Sequence, residues 1–265
     1  MKKFMTSTLI ATLGLALCST TVLAAPGELI SDGKVEVTEG TAGGTEENPK
    51  DPEDPEKEVE PKEPIIVNPD KGSLVIQAVT ALDFEKIETG VSKINKTAKE
   101  VTVNQVEGEK EVNRGHFVQW TDIRSSDNFG YTLKAELTKQ FTNESAEGAS
   151  NTLDGSSITY SNGMMNSLAN FEYWGNLDKP TFELTEEGSV NVVTADGKDK
   201  VGKGEYFVEF GQSDDWNSED HPSGNGGVAG TAKDSVELTV PAATASTMAT
   251  GDYVAEITWT LEAAM

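Results

Sequence analysis

Two short stretches bring aromatic rings together with carboxylates and amides: Phe171-Glu172-Tyr173-Trp174-Gly175-Asn176 and Asp214-Asp215-Trp216-Asn217. Aromatic faces stack on the apolar faces of sugars, while carboxylates and amides take the hydroxyls. Tyr173, Trp174 and Trp216 are therefore candidate glycan contacts, with packing of their own loops as the alternative use. Asp214, Asp215, Glu219 and Asp220 supply the oxygen ligands that calcium prefers, but without the spacing of an EF-hand loop. His116 and His221 fall in no metal-ligand pattern, so neither a metal centre nor a cofactor is expected. Catalysis finds no support. The chain has no Gly-x-Ser-x-Gly elbow and no phosphate loop, and acid pairs discriminate nothing where 45 residues are acidic. A non-enzymatic binding protein is the expectation.

The elements that must position these residues are short strands. Tyr253-Val-Ala-Glu-Ile-Thr-Trp-Thr-Leu261 alternates with only Val254 out of place, setting Tyr253, Ala255, Ile257, Trp259 and Leu261 on one face and Glu256, Thr258, Thr260 and Glu262 on the other. Gly130 to Leu137 alternates in the same way. Further apolar runs lie at 73–79, 101–106, 116–122, 157–160, 189–193, 205–210 and 235–240, separated by Gly, Asn, Asp and Ser clusters. Many short strands with turn signals and no sustained 3.6-residue period predict an all-β fold, an antiparallel β-sandwich or barrel-like single domain over 72–265. Connections over 138–156, 163–180 and 211–233 are expected to be long loops. The alternation of 253–261 favours a core position for Trp259, although stacking on a sugar or docking into a partner is the other reading of an exposed indole.

The N-terminal part reads differently. Lys2 and Lys3 precede an apolar run from Leu9 to Cys18, and Val22-Leu23-Ala24 provides a peptidase site, so residues 1–24 are expected to be a signal peptide and the protein secreted. The apolar run is too short to span a membrane. Cys18, the single cysteine, would leave with it, and stability must then come from core burial alone. Residues 25–71 hold seven of the ten prolines and repeats of the Pro-Glu-Asp-Pro-Glu-Lys type, which predict a disordered acidic Pro-rich linker. A formal charge of −24 excludes nucleic acid and anionic lipid as partners and argues against membrane insertion. No Leu-Pro-x-Thr-Gly sorting signal is present, so retention on a surface would be non-covalent.

Tyr253, Thr258, Trp259 and Leu261 resemble the C-terminal motif of the WxL family of secreted Gram-positive surface proteins, with Ile257 and Met265 where that motif has Leu and Pro. Other matching features are Leu74 to Ile76, the pair Asp122 and Arg124, and Gly130 to Leu133, where Tyr131 and Leu133 stand for the proximal Trp-x-Leu. The resemblance implies a cell-surface location with non-covalent attachment to the cell wall. Peptidoglycan is the implied ligand, and the segments carrying Tyr131, Leu133, Tyr253, Trp259 and Leu261 are the implied binding motifs. It also implies a membrane-anchored WxL-interacting protein, other WxL proteins and host surface proteins as companions.

Overall fold

The computed structural model describes residues 32–125, 130–220 and 226–264. The expected signal peptide, with Cys18, and His221 lie outside the described residues. Residues 32–37 are exposed and carry no regular structure, and from Thr38 onward the chain forms one unit.

The principal strands are β1 (Ile65–Val67), β2 (Leu74–Thr80), β3 (Ile94–Thr97), β4 (Val101–Gln105), β5 (Lys110–Arg114), β6 (His116–Asp122) and β7 (Tyr131–Thr142). They continue with β8 (Ser157–Tyr160), β9 (Gly163–Asn166), β10 (Phe182–Leu184), β11 (Val190–Ala195), β12 (Gly204–Phe210), β13 (Val236–Val240) and β14 (Val254–Ala263). All pairings among them are antiparallel. One sheet runs β9-β12-β6-β2-β1, a second β10-β8-β13-β3, and a third places Asn176–Leu177 beside β11, β7 and β14; β4 and β5 form a hairpin. The all-β expectation holds, in the form of several sheets none of which closes into a barrel.

The seven residues of β6 are all buried, because both faces of its sheet are covered. Val118 and Trp120 face a large core shared by the three sheets, and Phe117 faces a smaller cluster with Val59, Ile65, Ala78, Val101 and Val103. Burying an indole such as that of Trp120 contributes roughly 4 to 6 kcal/mol before entropy is subtracted.

Val59 belongs to the stretch expected to be a spacer, and the expectation of a disordered linker over 25–71 is corrected for its described, folded part. Ala42–Gly43 pairs with Lys71–Gly72, and β1 adds to the five-stranded sheet. The proline-rich turns cover that sheet's second face through specific polar contacts. Lys50 N–H donates to Gln119 Oε1 at 3.0 Å, and Asn166 Nδ2 donates to the Pro52 carbonyl at 2.8 Å. Composition alone missed this because the segment brings few apolar groups of its own; it is held by acceptors and charges that the sheet provides.

Two of the expected long loops are also shorter than they read. Residues 138–142 prolong β7, and 163–166 form β9, whose residues Gly163-Met-Met-Asn166 are buried on both faces and so show no alternation.

Candidate functional site

The two sequence motifs meet. β14 pairs with β7 so that Trp259 lies opposite Ala135, Leu261 opposite Leu133 and Ala263 opposite Tyr131. Tyr131 and Leu133 sit on the central strand and are 0 % exposed. They are therefore core residues, which is one of the two uses, core or binding surface, open to the motif residues. Gly130, at φ 97°, enters β7 where any Cβ would meet the Gly197 nitrogen at 2.5 Å, so Tyr131 is delivered inward through a gap only glycine passes. Asp122 and Arg124 clamp the same corner. Arg124 Nε and Nη2 donate to the Asp122 carboxylate at 2.9 and 2.7 Å, and Nη2 also donates to the Gly130 carbonyl at 2.7 Å. The Tyr131 ring packs edge-on against Trp120; its hydroxyl and Trp120 Nε1 face each other as a marginal pair, too poorly aligned for a regular hydrogen bond, and neither has another partner.

The residues of β14 alternate between half-buried and exposed, as the period-2 pattern requires. Trp259 stacks on Phe210, with ring centroids 6.3 Å apart and planes at 28°, and meets Tyr160 and Phe182 edge-on. Its indole closes the core and at the same time lines a cleft of about 580 Å³ with Leu82, Phe84, Phe141 and Tyr160. The Tyr253 hydroxyl is spent on structure: it donates to the Ser150 carbonyl at 2.6 Å and accepts from Ala249 N–H at 3.0 Å, tying down the turn before β14.

The loop aromatics separate into two kinds. Trp174 is only 6 % exposed, its Nε1 donating to the Ala169 carbonyl at 2.8 Å, so it packs the core and is corrected as a surface contact. Its polar neighbours in sequence concealed this, because the ring turns inward against Tyr206. Trp216 is half-buried and donates to the Gly226 carbonyl at 2.6 Å. Tyr173, in contrast, is 47 % exposed, and Phe171, in the same 3-10 turn, is 52 % exposed. That turn is fixed from behind: the Tyr173 carbonyl accepts from the Tyr206 hydroxyl at 3.0 Å and from Gly202 N–H at 2.7 Å. Two rings are thus presented to solvent on an anchored backbone, beside Asn170 and Glu172. Phe171 was visible in the sequence motif but was passed over for the larger tryptophan.

A charged centre escaped the sequence reading. Arg114 donates through Nε and Nη2 to the Asp51 carboxylate at 2.6 and 2.8 Å, and its Nη1 lies 3.2 Å from Glu53. Burial works against the guanidinium's charge, but Asp51 and Glu53 outweigh it and its pKa is raised. Glu53 also accepts from the backbone and hydroxyl of Ser213. Burial raises the Glu53 carboxyl, with Arg114 opposing. Glu209 is wholly buried; it accepts from Gly115 N–H at 2.8 Å through one oxygen while the other has no partner, and burial lifts its pKa well above the ordinary carboxylate value. Arg114 offsets one of the three carboxylate charges and, through Asp51 and Glu53, fastens the proline-rich turns to the sheet. Among the described residues no three His, Cys, Asp or Glu side chains are grouped to hold a metal ion, and no helix is long and apolar enough to cross a membrane.

A family model described as WxL domain, surface cell wall-binding, matches residues 24–264. No curated protein and no solved structure matches the chain.

Proposed function

Because the chain belongs to the WxL family of cell wall-binding surface domains, and so to the wall-associated proteins of the cell surface, we propose that it attaches non-covalently to peptidoglycan without catalysing any change in it. The observation that supports this reading is the exposure of Phe171 and Tyr173, two residues apart on one 3-10 turn that is held from behind. Exposed rings on a backbone already fixed bind at little entropic cost, and Asn170 and Glu172 flank them with groups suited to sugar hydroxyls. Attraction by net charge cannot supply the affinity, since a chain of charge −24 is repelled by anionic wall polymers. Short-range stacking and hydrogen bonding remain.

The test is retention of the purified protein by washed, protein-free peptidoglycan, with the supernatant examined for released fragments. Retention without soluble products supports the reading; loss of the protein to the wash overturns it. A second reading, a structural subunit docking onto a WxL-interacting protein or companion WxL proteins, with a role in adhesion to host surface proteins, is favoured by the position of the motif strand at the margin of its sheet.

A further inference from the structure

β14 ends its sheet, and among the described residues no strand pairs with its outer side. The phase of the ladder tells which groups are left over. Ala264 N–H donates to the Gly130 carbonyl at 2.8 Å, so even-numbered residues exchange hydrogen bonds with β7. By the alternation of antiparallel pairing, the N–H and C=O of Ile257, Trp259, Leu261 and Ala263 then point away from it. Register shifts interrupt the pairing between Val254 and Ile257, but from Ile257 to Ala263 it is regular. Folded proteins usually blunt so long an edge with lysine, proline or a covering segment. Here the inner side of the edge opens instead onto the apolar cleft floored by Phe84, Phe141 and Trp259. A second cleft of about 530 Å³ continues from it, sharing Phe84, Phe141 and Tyr253.

We propose that the β14 edge and this cleft together form a docking site for an extended, basic segment of a partner protein, which pairs with Ile257, Trp259, Leu261 and Ala263 and lays its apolar side chains over Phe84 and Phe141. Strand addition of this kind takes affinity from main-chain hydrogen bonds and specificity from alternate side chains. Charge selects the partner. Asp83, Glu88, Asp252 and Glu256 line the two clefts against Lys86, so alternate positions of an incoming strand are suited to lysine or arginine. A second copy is disfavoured by its like charge, since two chains of −24 repel, and in the two-fold register centred on Trp259 Glu256 of one copy also lies opposite Glu262 of the other, twice. The proposal rests on the second reading above, to which it gives a site and a partner chemistry, and it uses other residues than Phe171 and Tyr173, so it does not depend on peptidoglycan binding.

The experiment uses the full chain and a short amidated peptide alternating valine with lysine, compared with its glutamate counterpart and with a lysine peptide N-methylated along one edge. Binding is followed by fluorescence anisotropy and located by backbone amide chemical shifts. The lysine peptide is expected to bind and to shift residues 257–263, with the glutamate and N-methylated peptides each about tenfold weaker or worse. The double variant Glu88→Lys and Asp252→Lys, both exposed, is expected to lower affinity for the lysine peptide while leaving the fold intact. Equal binding of the N-methylated peptide would show attraction by charge alone and overturn the proposal. So would the absence of binding, or a concentration-dependent dimer in sedimentation that Ala263→Pro abolishes, which would assign the edge to a second copy.

Discussion

Asp51 and Arg114, 63 residues apart in the chain, form a two-pronged ion pair whose side chains are 0 % and 9 % exposed. The proline-rich turns are held to the sheet by this contact and by the hydrogen bonds around it, including Gln105 Nε2 to Asp51 at 2.7 Å. A buried pair of this geometry contributes little over an apolar substitute, but removing one partner strands the other charge.

Arg114→Ala is accordingly expected to destabilise the domain by about 3 to 5 kcal/mol. Limited proteolysis is the sharper measurement: cleavage should move into residues 49–59, which the intact protein protects. An unchanged cleavage pattern would mean that the apolar contacts of Val59 suffice.

Trp259→Ala is expected to cost about 3 kcal/mol, toward the lower end for aromatic truncation because the indole is half-buried. Urea unfolding measures this directly, and Trp259→Phe should recover most of the loss through the stack on Phe210. A fully stable alanine variant that no longer binds walls would make the indole a contact rather than a wall of the core.

Tyr131→Phe removes a buried hydroxyl whose one polar neighbour, Trp120 Nε1, is too poorly aligned for a regular hydrogen bond. An unsatisfied group of that kind costs about 1 to 3 kcal/mol, so the variant is expected to be more stable than the parent, by about 1 kcal/mol. A lower urea midpoint would reveal an unseen partner for the hydroxyl.

Two buried groups set the pH dependence, with opposite signs. Burial drives His116 down to about 4, the hydrogen bond to the Lys99 carbonyl opposing. That carbonyl can only accept, so Nε2 carries the proton and Nδ1 accepts from the Thr80 hydroxyl. A folded pKa below the unfolded value gives stability that is complete above about pH 6.5 and is lost as pH falls through about 4, on the order of 3 kcal/mol in all. Glu209, raised by burial, gives stability that is complete below the ordinary carboxylate pKa and drains away as pH rises toward its folded value. In urea midpoints between about pH 4 and pH 8, His116→Gln should flatten the acid limb and Glu209→Gln the alkaline limb.

Phe171→Ala combined with Tyr173→Ala should abolish retention on washed peptidoglycan while costing only about 1 kcal/mol of stability, chiefly the edge-on contact of Phe171 with Trp174. Undiminished retention by a folded double variant would move the wall contact elsewhere on the domain.

By itself the sequence determined the strands that have one wet face, because alternation is a local signal: Tyr253 to Leu261 and Gly130 to Leu137 were legible residue by residue. It also carried the family, through Trp259, Leu261 and the Asp122 and Arg124 pair, and with it the surface location. Three things only the tertiary structure decided. Residues Gly163 to Asn166 are a strand buried on both faces, which leaves no period to read. The proline-rich turns fold because Arg114, Gln119 and Asn166, distant in sequence, supply the partners that the segment itself lacks. Of seven aromatics in the motifs, Tyr131 and Trp174 went inside, Trp216, Tyr253 and Trp259 stayed halfway, and Phe171 and Tyr173 faced outward. Ring type and local polarity are the same in both environments, and the choice between them is made by which neighbouring sheet arrives to cover the ring.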